Sequence, residues 1–203
     1  MANRTRSEGF TLVEALIVLA VLMIALLILM PALQNMMVRS KLEGVARETA
    51  QLIHFARLEA IKQSVPAVVR VDGASGEVSA FVDVDGPTSN DPPDGIYNPV
   101  AGDPPGQTDY QLGRSTIPYG VSQSAPSGQM AVDGLTAIGS ERVVQILVDG
   151  SADSVGAYRF GDERGNFLEV RVEPRATARV TVRKWDGTAW WSRGEGGHPW
   201  QWD

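Results

Sequence analysis

A single carboxylate, Glu14, interrupts a long apolar stretch: residues 15–33 read ALIVLAVLMIALLILMPAL, and Phe10 to Val13 extend the run upstream. A carboxylate placed four residues into a membrane segment costs about 2.5 to 3.5 kcal/mol on insertion scales, so a group that offsets its charge is the default expectation. The rest of the reactive inventory is short. The chain has no Cys and two His, His54 and His198. That removes disulfides, thiolate zinc sites and cysteine nucleophiles, and leaves a Ser-His-Asp relay only two distant histidines to build on. His54 reads as a packing or surface histidine, and no catalytic residue is expected.

Two further clusters carry chemical potential. Between Phe81 and Tyr110 stand Asp83, Asp85, Asp91, Asp94, Asp103 and Asp109 with no basic residue among them. Calcium takes six to eight oxygens, and Asp83, Asp85 and Asn90 or Asp91 are candidate ligands, but the EF-hand spacing with its terminal Glu is absent. The same Asp, Pro and Gly residues are those that solvated turns require, and that is the preferred reading, with no cofactor needed. All five Trp fall in the last 19 residues, at 185, 190, 191, 200 and 202. Trp190, Trp191, Trp200 and Trp202 are candidate partner contacts, or an edge hairpin through Trp190 closes the sheet and covers the helix. Asp186, Glu195 and Asp203 cancel the positive field that Arg193 and His198 would otherwise give these rings, so nucleic acid is not an expected partner.

The elements that must position these groups follow from periodicity. About 20 helical residues span a hydrocarbon core of about 30 Å, so the run through Leu33 is long enough to cross a bilayer. It is too long for the apolar region of a cleaved signal peptide. An ordinary signal anchor, with Glu14 at the interface, is the competing reading. Arg4 and Arg6 keep the short leader cytoplasmic and send the remainder across the membrane. Past Pro31 a helical stripe continues through Leu42, Val45, Ala46, Thr49, Ile53, Ala56 and Ala60, backed by charge, and should stop before Val65-Pro66. Downstream, alternation predicts strands at 67–72, 77–84, 143–149, 156–160, 167–173 and 178–184. In the last two, Leu168, Val170, Val172, Ala178, Val180 and Val182 should face inward, with Glu169, Arg171 and Glu173 outward. No βαβ rhythm appears. The expected fold is α+β: a long N-terminal helix, half transmembrane and half amphipathic, packed on an antiparallel β-sheet body. Residues 1–62 carry seven Lys/Arg against five Asp/Glu, a net of +2, and the remainder eleven against nineteen, a net of −8. An acidic body argues against binding nucleic acid through a basic face.

Gly9-Phe10-Thr11-Leu12-Val13-Glu14, after a short basic leader and before an uninterrupted apolar run, resembles the processing site of type IV prepilins and type II secretion pseudopilins. The resemblance implies cleavage between Gly9 and Phe10 by prepilin peptidase, N-methylation of Phe10, an assembly role for Glu14 and a helix kink at Pro31. Glu8 departs from the pattern. In a filament of such helices, Glu14 can pair with the Phe10 amino group of a neighbouring subunit, cancelling two buried charges and fixing register. Ala56-Arg57-Leu58-Glu59-Ala60-Ile61-Lys62 followed by Pro66, and Ile146-Leu147-Val148-Asp149-Gly150-Ser151 followed by Gly156, are similar to the GspH/FimT group of minor pseudopilins and pilins.

The implied organisation is a cytoplasmic leader (1–9), a transmembrane and polymerisation helix (10–33), an amphipathic continuation (34–64) and a periplasmic β-rich body (65–203) with an acidic loop (83–109) and a Trp-rich tail. The implied function is that of a minor pseudopilin, not an enzyme, in the bacterial inner membrane and then in the pseudopilus. Its partners would be other pseudopilin or pilin subunits, prepilin peptidase and the inner-membrane assembly platform. A FimT-like minor pilin serving a type IV pilus or DNA uptake is the alternative.

Overall fold

The computed structural model describes residues 12–84, 93–98, 108–139 and 141–195. The chain divides into two compact units, Met1–Val38 and Arg39–Asp203, and one helix, α1 (Leu12–Gln63), contributes to both. In the first unit large apolar side chains such as Leu12, Leu16, Ile24, Leu29 and Met37 are all exposed. The helix is long and apolar enough there to cross a membrane, and it runs through Pro31.

In the second unit the expected stripe is the buried one: Leu42, Val45, Ala46, Thr49, Ile53, Ala56 and Ala60 all lie in the interior. Thr49 is tolerated because its hydroxyl donates to the Val45 carbonyl one turn back, at 2.8 Å. The helix ends where expected. Ser64 takes a left-handed φ of 56°, and the Val65 N–H closes on the Ala60 carbonyl at 3.3 Å, a Schellman arrangement that satisfies an end carbonyl before Pro66 forbids further turns.

The body holds two antiparallel sheets rather than the single one expected. The first has the order β3 (Tyr110–Thr116), β2 (Glu77–Val82), β1 (Ala67–Asp72), β7 (Glu141–Ile146), β6 (Thr136–Ile138). The second runs β11 (Trp190–Ser192), β10 (Val180–Trp185), β9 (Phe167–Val172), β8 (Gly156–Asp162), β4 (Val121–Gln123), and β5 (Val132–Asp133) also pairs with β8. Alternation assigns a strand's faces but not its partner, and so could not divide them. Inward residues of both sheets meet the α1 stripe in one core, Val69, Ala80 and Val144 from the first and Leu168, Val170 and Val172 from the second. Tyr158 on β8 ties the sheets: its buried hydroxyl lies 2.9 Å from the carbonyls of Val69 and of Arg142.

Three local expectations are corrected. The strand placed at 178–184 starts at Val180, because Arg175–Thr177 form a 3-10 turn capped by Ala178 at φ 43°. The strand placed at 143–149 ends at Ile146. There the chain turns: Leu147 N–H donates to the Ser151 carbonyl at 2.8 Å, and the Asp149 carboxylate accepts from the Ser151 N–H at 2.9 Å and hydroxyl at 2.6 Å. Strands β3 to β6 and β11 were not anticipated, being short or polar.

That turn presents Gly150 to the helix. Its φ is +79°, a Cβ there would sit 2.6 Å from Ile61 Cδ1, and its carbonyl accepts from Arg57 Nε at 2.9 Å. Gly150→Ala is therefore expected to cost about 1 to 3 kcal/mol, since a left-handed residue gains a methyl group against the helix. A thermal midpoint lowered by several degrees in the full chain in detergent would show this, and an unchanged midpoint would refute it.

Candidate functional site

Glu14 is exposed in the first turn of α1, among exposed apolar neighbours. Gly9 and Phe10 lie outside the described residues. Further along α1, within the body, Phe55, Leu58 and Ile61 are 44%, 65% and 47% exposed. Their spacing of three marks a second apolar face that the sequence reading passed over by following only the buried stripe. His54 is exposed beside it, and His198 lies outside the described residues.

The acidic loop is not simply solvated, because Asp83 and Asp109 at its two ends are buried. Asp109 accepts from the backbone N–H groups of Val84 at 2.7 Å and Asn98 at 3.0 Å. Asp83 accepts from Gly95 N–H at 2.6 Å. Both carboxylates thus pin residues 93–98, and Tyr97 packs on Phe81 with ring centroids 5.3 Å apart. Together with Ile138 it covers Val68, Phe81 and Val143, a small apolar cluster. Asp85 and Asp91 lie outside the described residues, and among the described residues no group of three or more His, Asp or Glu is placed to hold a metal ion.

Burial pushes the Asp83 carboxyl up to about 6, with the charges of Asp109 and Asp94 adding to the rise and the Gly95 N–H opposing it. The folded chain therefore holds this proton more tightly than the unfolded chain. The resulting stabilisation is fully present below about pH 4 and is lost as pH rises through about 6. Asp83→Asn keeps the acceptor for Gly95 and removes the charge. It is expected to match the parent near pH 4 and to exceed it by about 2 to 3 kcal/mol above pH 7. Chemical denaturation at the two pH values checks this, and a variant no more stable above pH 7 would overturn it.

The outer face of the second sheet departs most from expectation. Glu169 does point away from Leu168 and Val170, yet it is 0% exposed. In register it faces Arg159 on β8 and Arg183 on β10. Its oxygens lie 2.7 Å from Arg159 Nε and 3.0 Å from Arg171 Nε. Arg159 Nη1 also donates to the Met130 carbonyl at 2.7 Å. Sequence reasoning missed this cluster because only register brings residues 159, 169 and 183 side by side.

Trp190 covers that network rather than the helix. The Arg159 guanidinium lies 5.2 Å from its ring centroid, its Nε1 donates to Gln129 Oε1 at 2.8 Å, and it packs on Trp185 at 5.3 Å. The hairpin behind it is fastened by Asp186, whose carboxylate accepts from Thr188 N–H at 2.7 Å, Ala189 N–H at 2.8 Å and Trp191 Nε1 at 2.6 Å. Those bonds, the Ala189 amide foremost, hold its carboxyl well below the ordinary range. The structural alternative for Trp190 thus holds in altered form, while Trp200 and Trp202 lie outside the described residues.

The family model of the type II transport protein GspH matches residues 45–152, just over half of the chain. The chain belongs to the GspH family. In this GspH-family chain the matched stretch takes in most of the buried stripe of α1, the whole first sheet and the turn at Gly150. The prokaryotic N-terminal methylation motif matches residues 4–30, which include Gly9, Phe10 and Glu14. Among solved structures, the chain is similar to the minor pseudopilin EpsH from the Type 2 Secretion System of Vibrio cholerae. Identity is 12% and the TM-score 0.44, over 73% of this chain and 99% of that one. No curated protein matches the chain.

Proposed function

We propose that this chain is a minor pseudopilin subunit of a type II secretion pseudopilus, supporting export of folded proteins across the outer membrane. The observation that carries the reading is the union, in one chain and through one helix, of a methylation motif at residues 4–30 with a GspH-type body at residues 45–152. In this reading the precursor sits in the inner membrane with its N-terminus cytoplasmic and its body periplasmic. Prepilin peptidase cuts between Gly9 and Phe10, Phe10 is methylated, and the assembly platform passes the subunit to other pseudopilins. Glu14 governs assembly and Pro31 bends the helix. The work is mechanical and recognitive, not catalytic.

The test compares a deletion strain with its complemented parent, scoring secreted proteins, pili and DNA uptake in the same cultures. Secreted enzymes retained in the periplasm while pili persist would support the reading. Intact secretion with failed pili or transformation would replace it with a FimT-like minor pilin.

A further inference from the structure

Strand β10 is only half covered on its outer side. β9 pairs with it from Val180 to Lys184, but β11 pairs with it from Arg183 to Trp185 alone. After Ser192 the chain leaves the edge: the Ser192 N–H donates to Glu195 Oε2 at 3.0 Å, and Gly194 takes a φ of +82°. Bonds at the two ends of β10 fix which of its groups are left over. Glu173 N–H donates to the Arg179 carbonyl at 2.9 Å, so Arg179 addresses β9, while Asp186 N–H donates to the Ala189 carbonyl at 3.1 Å, so Asp186 addresses the β11 side. Backbone groups alternate sides along an antiparallel strand, so odd-numbered residues face β9 and even-numbered ones face away from it. The N–H and carbonyl groups of Val180 and Val182 therefore point at an edge that no strand pairs among the described residues.

The two faces beside this edge differ in chemistry, and all their residues belong to the second compact unit. On the core face Val180 and Val182 pack inward. Next to Val182 a recess of about 200 Å³ opens between α1 and β9, lined by Glu43, Arg47, Leu168, Val182 and Arg193. Glu43 and Arg47 bond each other, and Leu168 and Val182 make the apolar wall. On the outer face a cleft of about 530 Å³ is lined by Glu173, Arg179, Thr181, Arg183, Ser192 and Glu195 among others. Its carboxylates are already engaged, Glu173 by Arg183 and Glu195 by the Ser192 N–H. Donors are left over: Thr181 Oγ1 and Arg183 Nε are buried without a hydrogen-bond partner, and exposed Arg179 makes no ion pair among the described residues.

We propose that the edge of β10 at Val180–Val182 receives an extended segment of a partner protein in which apolar and acidic side chains alternate. Residues opposite Val180 and Val182 pair with the free backbone groups and turn their side chains to the core face, where the one beside Val182 enters the recess. The residue between them lies opposite Thr181, with Cβ atoms about 5 Å apart and Arg179 and Arg183 on its diagonals at about 7 to 8 Å. A carboxylate there accepts from the Thr181 hydroxyl, Arg183 Nε and Arg179. Main-chain bonds at an open edge give affinity, and the cavities on its two faces give specificity.

Fluorescein-labelled peptides test this against the full chain in detergent, read by fluorescence polarisation. The peptide Ser-Val-Asp-Val-Asp-Val-Asp-Val-Ser should bind saturably. Replacing its Asp residues by Lys should weaken binding about ten-fold or more, and so should N-methylation of its valines, which keeps the charge but removes the N–H groups that face β10. Arg179→Glu alters an exposed side chain and spares the fold; it should weaken the Asp peptide about ten-fold and strengthen the Lys peptide. No binding, or equal binding of the Asp and Lys peptides, would overturn the acidic partner. An N-methylated peptide that binds as well as its parent would overturn the strand pairing. A chain that sediments as a dimer and is split by the Asp peptide would give the edge to a second copy and overturn the choice of partner.

Discussion

Glu14→Ala is expected to leave cleavage between Gly9 and Phe10 intact and to abolish incorporation into the pseudopilus. The carboxylate stands in the first turn of α1, exposed among exposed leucines, isoleucines and valines. Holding it in hydrocarbon costs about 2.5 to 3.5 kcal/mol. In the proposed assembly, a neighbouring subunit's mature amino group at Phe10 is the opposite charge that processing would create, and pairing the two would remove both penalties at one axial register. Without Glu14 the amine is buried alone, so the loss falls on assembly while the scissile bond is untouched. Gel mobility of the membrane fraction reports cleavage and the sheared-filament fraction reports incorporation. Normal amounts of the variant in filaments would refute the pairing.

Glu169→Ala is expected to have the largest effect on the stability of the body, about 3 to 5 kcal/mol. The variant takes from buried Arg159 the nearer and more buried of its two carboxylates, leaving Asp133 at 3.2 Å, and removes the acceptor that Arg171 and Arg183 share. The cost is mainly that of buried positive charge left with too little counter-charge, since Asp133 must then serve both Arg159 and Arg171, so the double variant Arg159→Met/Glu169→Leu should recover much of it. Denaturant midpoints of the full chain in detergent decide the matter. Additive losses in the double variant would show that the side chains act independently of one another.

These two glutamates mark how far the sequence reaches. Glu14 was legible without a structure, because an isolated charge in an apolar run is anomalous against its immediate neighbours. The helix end at Gln63 was legible for a similar reason: Pro66 acts on the residues beside it. The buried stripe from Leu42 to Ala60, the Thr49 position included, follows from a period of 3.6, and the inward faces of β9 and β10 from a period of 2. Each of these is a signal between residues a few positions apart.

Glu169 was misplaced by the same rule that placed Leu168 and Val170. Alternation says which way a side chain points, not what the chain later lays over it. Arg159, Arg183, Met130 and Trp190 reach it only through register and through the course of residues 129–133. Asp83 and Asp109 read as solvated for the same reason, since nothing nearby in sequence announces that Gly95 and Asn98 return their amides to them. The split into two sheets and the covering of Arg159 by Trp190 are likewise long-range. Periodicity between near neighbours, and charges out of place among them, were enough for the membrane-length helix, six of the eleven described strands and the methylation motif. Only the tertiary structure decided which polar groups are buried and paired, because loop closure joins groups whose separation along the chain leaves no periodic trace.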